Sequence, residues 1–173
     1  MIKLIKAING NIRNTKRLPQ LHNVCSILNI LIIEPKKLTI DNSWFIGFFD
    51  AKGDIYYYPS YSLNNINNNN KPELIISVKN KRLVDIKMFK DIFEGNIYFD
   101  KSNNGYYKWI INDKLTILNF INKYIKYNPS RTTKINKLSL CNKFYSLIDL
   151  NFNNPFFLKI WLHFESKFNS YKE

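Results

Sequence analysis

From Trp44 to Phe49 the chain reads WFIGFF, without one polar side chain. Asp41 stands where it can cap a helix that begins near Asn42 and runs through Ala51, and Gly53 is a natural stop. A helix that is apolar nearly all round cannot lie on a surface; it calls for burial on every side. This segment is therefore the centre of whatever the chain builds. The C-terminal stretch, with Phe156, Phe157, Ile160, Trp161, Phe164 and Phe168, supplies one candidate cover by folding back over it. The other candidates are a second copy or a different protein.

The flanking segments read as alternating elements. Residues 1–40 form a basic, helix-prone arm: Pro19 breaks it, Leu21, Val24, Ile27 and Leu28 then recur at helical spacing, and Pro35-Lys36-Lys37 is a connector. After the apolar helix comes a Tyr-rich strand, about Asp54 to Tyr61, with Pro59 marking an edge or bulge. Asn64 to Asn70 is a loop, Glu73 to Lys79 a second strand, and Asn80 to Phe93 a helix ended by Gly95. Asn96–Asp100 and Tyr106–Asn112 pair as a hairpin around Ser102-Asn103-Asn104-Gly105, whose Asn-Gly is a strong turn signal. Asp113 caps a helix to about Tyr127, and further helices run from Arg131 to Leu150 and from Pro155 to Phe168. The order, helix, two strands, helix, two strands, helices, is that of an α+β domain over 41–150, with the arm before it and a C-terminal helix over 151–173.

Composition narrows the partner. The chain has 173 residues, enough for one domain and an arm, and its net charge is +13 with a pI near 9.7. That excess favours a polyanion over a small metabolite as ligand. Asn, Ile, Lys, Phe and Tyr make up 97 of the residues while Ala occurs twice, which is the imprint of AT-rich codons such as those of a mitochondrial genome. Cys25 and Cys141 stand alone and His22 and His163 have no ligand spacing, so neither a zinc site nor a disulfide framework is expected. No apolar run reaches a membrane span, and neither a signal peptide nor a matrix-targeting presequence is evident at the start.

The segment Trp44 to Gly53, WFIGFFDAKG, resembles the signature helix of the LAGLIDADG homing endonucleases and intron maturases: an apolar helix with an internal glycine, then acid, small residue, acid, glycine, leading straight into a strand. The element order resembles the family's αββαββα domain, an antiparallel sheet packed on helices. Arg131-Thr132-Thr133-Lys134 lies where the family has a Thr/Lys-rich helix start, and Ile8 to Val24 looks like the connector that closes the first half of two-motif members. The chain thus looks like the second half of such a protein. The resemblance implies that two signature helices pack side by side, that Gly47 and Gly53 allow the close approach, and that the last acid of each motif holds divalent metal at the nucleic acid.

At that last acid this sequence has Lys52. A protonated lysine offers no lone pair, and at 4 Å with an effective dielectric near 20 it repels each unit of cation charge by roughly 4 kcal/mol. Asp50 matches the first acid, whose implied role is structural, and Asp54 points along a new strand. No catalytic residue and no metal site are therefore expected. What remains is a basic, aromatic surface. Tyr56, Tyr58, Lys79, Tyr106 and Lys108 lie on the strands, Lys81 and Arg82 in a basic loop, and Arg131, Lys134, Lys137 and Lys143 on a later helix, a mixture suited to phosphate contact and stacking.

The leading expectation is thus an RNA-binding, non-cleaving relative of these endonucleases. It would be a component of a mitochondrial ribosome or a group I intron maturase, and the small size favours the ribosomal version. Its partners would be ribosomal or intron RNA and other ribonucleoprotein subunits, with no membrane and no cofactor, in the mitochondrial matrix and encoded in the mitochondrial genome. The alternative is a homing endonuclease that cleaves double-stranded DNA as a dimer with Mg²⁺. A third reading is a basic protein-interaction module.

Overall fold

The computed structural model describes residues 1–12, 17–58, 72–102, 104–150 and 155–171. They divide into two compact units, Met1–Thr39 and Ile40–Glu173, and the C-terminal helix belongs to the second.

In the first unit, α1 (Ile2–Ile8) and α2 (Leu18–Ile27) are separate helices. Pro19 does not break a helix as expected from the sequence. It sits in the first turn of α2, where the N–H it lacks has no intrahelical acceptor in any case. Asn9 ties the far end of the unit back: its Nδ2 donates to the Leu31 carbonyl at 2.6 Å, and its Oδ1 accepts from the Ile33 N–H at 3.0 Å.

The second unit runs α3 (Trp44–Lys52), β1 (Gly53–Tyr58), β2 (Glu73–Asn80), α4 (Leu83–Phe93), β3 (Asn96–Asp100), β4 (Tyr106–Ile111), α5 (Lys114–Asn119), α6 (Lys134–Ile148) and α7 (Pro155–Ser170). A π-helical stretch, Phe120–Ile125, continues α5 where the sequence suggested one uniform helix. The four strands form one antiparallel sheet in the order β1-β2-β4-β3. The expected position of Pro59, the end of the first strand beyond Tyr58, the asparagine-rich loop and Asn103 of the hairpin turn lie outside the described residues. The rest of that turn is as read from the sequence. Asn104 and Gly105 both have positive φ (67° and 75°), and the Gly105 N–H closes on the Ser102 carbonyl at 2.9 Å.

The core fills the space between one sheet face and the helices. Register pairs Ile55 with Ile76 and Val78 with Trp109 on that face. Phe45 of α3 meets Phe89 and Phe93 of α4 edge-on at 5.2 and 5.1 Å, and Phe49 meets Phe120 at 5.9 Å. Such aromatic pairs each contribute about 0.5–1.5 kcal/mol beyond the area they bury. Trp109 is fully buried and its indole N–H donates to the Glu94 carbonyl at 2.6 Å. Gly95 beside it has φ +85°, and a Cβ there would lie 2.6 Å from the Ile110 carbonyl oxygen, so no other residue fits this link between α4 and β3.

Two local expectations, the Asp41 cap and the covering of the motif helix by the C-terminal helix, are corrected, and Gly53 ends α3 as expected. Asn42, not Asp41, supplies the oxygen at the start of α3, accepting from the Trp44 N–H at 2.8 Å. Gly53 ends α3 in extended backbone (φ −82°, ψ 161°), and its need for glycine is steric: a Cβ would overlap the Phe49 ring. Within this single chain Gly47, Ala51 and Lys52 of the motif helix are exposed. Finally, α7 does not reach its buried partners through that helix. Trp161, Phe164 and Phe168 close around Tyr57 of β1, and Trp161 and Phe164 also meet Phe144 of α6, while Phe156 and Ile160 stay exposed. Among the described residues no helix is long and apolar enough to cross a membrane.

Candidate nucleic-acid interface

Strand alternation sends one set of side chains away from the helices. Asp54, Tyr56 and Tyr58 of β1, Glu73, Ile75, Ser77 and Lys79 of β2, Tyr106, Lys108 and Ile110 of β4, and Asn96, Tyr98 and Asp100 of β3 share this open face. The structure therefore brings together Tyr56, Tyr58, Lys79, Tyr106 and Lys108 as the sequence suggested. Lys79 faces Lys108 directly across β2 and β4, a like-charge pair that costs stability unless something negative comes between or one charge moves off. Lys108 does move off. Its Nζ is 2.9 Å from the Tyr56 hydroxyl and 4.9 Å from that ring's centre, so the contact is a hydrogen bond beside the ring rather than a cation over its face. Partial burial raises the Tyr56 pKa, and the neighbouring Tyr56 raises that of Tyr58. The Tyr106 hydroxyl donates to Asp100 at 2.7 Å, and hydrogen bonds from Ser102 and Tyr106 hold that carboxyl below the usual carboxylate range.

Between β1 and β3 the open face is concave. A groove of about 560 Å³ has Tyr58 and Tyr98 on its walls and Ile75, Lys108 and Ile110 in its floor. Tyr98 was absent from the sequence-based set. The Asn-Gly turn carried the signal, because the hairpin it sets pairs Asp100 with Tyr106 and so puts Tyr98 opposite Lys108.

The other basic residues lie elsewhere. Arg82 precedes α4 with its Nε 3.8 Å from Asp85, and Lys81 beside it is exposed. The basic face expected on one helix divides, with Arg131 in the segment before α6 and the three lysines on it. Arg131 and Lys143 are exposed, but Lys134 and Lys137 turn inward. Lys134 is 7% exposed and its Nζ donates to the Asp50 carbonyl at 2.7 Å. Lys137 donates to the Ile55 carbonyl at 3.3 Å, on the edge strand β1, and lies 5.4 Å from the centre of the Phe168 ring. Lys134 thus ties α6 to the end of α3, and Lys137 ties it to β1.

The end of the motif helix is occupied by its own chain. The Asp50 carboxylate accepts from the Ser130 hydroxyl, from the Arg131 N–H at 3.0 Å and from the Thr132 hydroxyl at 3.2 Å. It clasps the start of the segment leading into α6. Lys52 closes α3 and is exposed, and Asp54 has turned onto the open sheet face, its Oδ1 accepting from the Ile55 N–H at 2.8 Å. This set does not fit a divalent cation. One candidate oxygen donor is replaced by an ammonium, one carboxylate is taken by three donors, and the third lies in the strand. Among the described residues no three His, Cys, Asp or Glu side chains converge on a point.

Residues 45–145 match the family described as LAGLIDADG endonuclease. The chain is 49% identical over 181 residues to a probable intron-encoded endonuclease, aI2, of Debaryomyces hansenii, covering 98% of this chain and 27% of that protein. It is 50% identical over 174 residues to the intron-encoded RNA maturase bI4 of Saccharomyces cerevisiae, covering 98% of this chain and 26% of that one. The chain thus spans about a quarter of the length of these relatives. Among solved structures, an archaeal intron-encoded homing endonuclease, I-Vdi141I, complexed with DNA, matches with a TM-score of 0.61 at 15% identity, over 75% of this chain and 82% of that one. I-SmaMI bound to cleaved DNA matches at 0.56 and 22% identity, over 79% and 43%. At such identities the likeness is one of fold.

Proposed function

This chain belongs to the LAGLIDADG endonuclease family, and from that premise we propose that it is an RNA-binding maturase module. It holds folded intron RNA on the open face of its sheet, and its own motif helix cuts no phosphodiester bond. The observation that carries this reading is Lys52, exposed at the helix end where the family pattern has its last acid. Because the side chain is in solvent, its repulsion of a cation is screened toward about 1 kcal/mol per unit charge. The missing lone pair is therefore the stronger argument. Asp50 cannot stand in without releasing the Ser130, Arg131 and Thr132 donors it already holds.

RNA as the ligand is supported by the net charge of +13, by the tyrosines and lysines of the open face, and by the 50% identity to an RNA maturase. The relatives are named for introns, so the proposal takes intron RNA in place of the ribosomal RNA favoured from size alone. The AT-coded composition together with intron-encoded relatives supports a mitochondrial gene and a matrix location.

The test is to add the purified chain to a precursor RNA containing a group I intron, in Mg²⁺, and follow binding, splicing rate and strand cleavage. Expected are salt-sensitive binding, faster splicing and no cleavage. Mg²⁺-dependent cutting of duplex DNA by the unaltered chain would overturn the proposal in favour of the endonuclease. Stoichiometric ribosomal RNA on the chain purified from its organelle would restore the ribosomal version.

A further inference from the structure

We infer that the groove of the open sheet face receives unpaired nucleobases of single-stranded RNA, stacked on Tyr58 and Tyr98, while the sugar-phosphate backbone stays on the rim. This rests on the RNA-binding reading above and adds which part of an RNA the face takes.

Charge decides between base and phosphate. The groove is lined by two acids, Glu73 and Asp100, and two lysines, Lys101 and Lys108, so its formal charge cancels. A track for phosphates would carry lysines without carboxylates. A groove of cancelling charge whose floor carries Ile75 and Ile110 beside Lys108 suits a neutral base. Both carboxylates already accept hydrogen bonds within the chain, Asp100 from Ser102 and Tyr106 and Glu73 from Asn112, and their charge repels phosphate. The walls have the chemistry for stacking. Tyr58 and Tyr98 are each 54% exposed, although large aromatic side chains are usually covered in a folded chain. They stand on the two edge strands, and sheet twist raises opposite corners of the face on either side of the floor. Lys79, exposed on the same face and not lining the groove, is the rim cation. A base held in a duplex cannot stack on a tyrosine, so the ligand must be unpaired.

The test uses fluorescence anisotropy with an RNA of about 12 nucleotides and mixed sequence, single-stranded or annealed to its complement. The single strand is expected to bind more tightly. Tyr58→Ala and Tyr98→Ala should each weaken it by about 5- to 150-fold with the salt slope unchanged, and Tyr58→Phe and Tyr98→Phe should keep wild-type affinity. Lys79→Ala should lower the salt slope by about 0.7. Circular dichroism melts matching wild type establish that the variants fold. Equal or tighter binding of the duplex, phenylalanine variants as weak as the alanine ones, or alanine variants that bind like wild type would overturn this inference while leaving RNA binding in place. If the unaltered chain bound neither RNA, the inference and the maturase reading would fall together.

Discussion

Asp50 has the most consequential single side chain outside the sheet. Its carboxylate is held by Ser130, Arg131 and Thr132, residues some 80 positions away, and its carbonyl takes the buried Lys134. Hydrogen bonds to a charged group contribute about 1.5–3 kcal/mol each at most, and part of that is recovered by water at a half-exposed site. Asp50→Ala is therefore expected to lower unfolding stability by about 1–3 kcal/mol in urea titrations. An unchanged midpoint would show that the clasp is ornamental. A second residue-scale effect concerns pH. Burial pushes the Cys141 thiol up to about 12 from 9.0, and Tyr57, Tyr124 and Tyr145 are raised above 10.0, also by burial first. The fold thus favours the neutral forms. Their contribution is complete below the unfolded values and is lost as pH rises toward the folded ones, because the unfolded chain releases its protons first. Denaturation midpoints should hold level to about pH 9 and then fall through pH 10 and 11. A level profile across that range would contradict the assignment.

At the scale of elements, the motif helix and the π-helical stretch are joined through one hydroxyl. Tyr124 donates to the Asn42 carbonyl at 3.0 Å and accepts from the Ile46 N–H at 2.8 Å. The first turn of α3 has N–H groups with no intrahelical partner, and this tyrosine satisfies one of them inside the core. Tyr124→Phe keeps the ring, which packs 4.8 Å from Phe93, and removes only the hydroxyl. It should cost about 1–3 kcal/mol, the penalty for a buried backbone donor left without a partner. The check is the urea midpoint together with amide exchange at Ile46, which should quicken; an Ile46 amide as protected as in wild type would rule out the link. Elsewhere α6 protects an edge. Lys137 takes the Ile55 carbonyl, so one acceptor of edge strand β1 is occupied by a charged side chain rather than left to pair with another chain.

For the molecule as a whole, the sheet has two faces with different tasks. One is sealed by α3, α4 and the helices that follow, around Phe45, Phe89 and Trp109. The other is open, polar and aromatic, with Lys108 in its groove and Lys79 beside it. If the chain as a whole, with its net charge of +13, engages 6 to 10 phosphates of a folded RNA, affinity should drop about 10³- to 10⁵-fold between 50 and 200 mM salt. Filter binding across that range measures it, and a shallow slope would mean that few phosphates are touched.

Local chemistry was readable from the amino acids alone. The alternation of helices and strands, the Asn-Gly turn with both residues at positive φ, and Asp113 accepting from the Thr116 N–H at 2.8 Å follow from rules that act within about four residues. So does the replacement of an acid by Lys52, which is a matter of identity and not of place. Only the tertiary structure decided which lysines of α6 turn inward, that Asp50 clasps Ser130 and Thr132, and that α7 covers Tyr57 rather than the motif helix. The physical reason is the same in each case. A helical charge pattern says which residues share a stripe, but the side that meets the core depends on carbonyls and rings brought in from distant strands. No spacing along the chain records those partners.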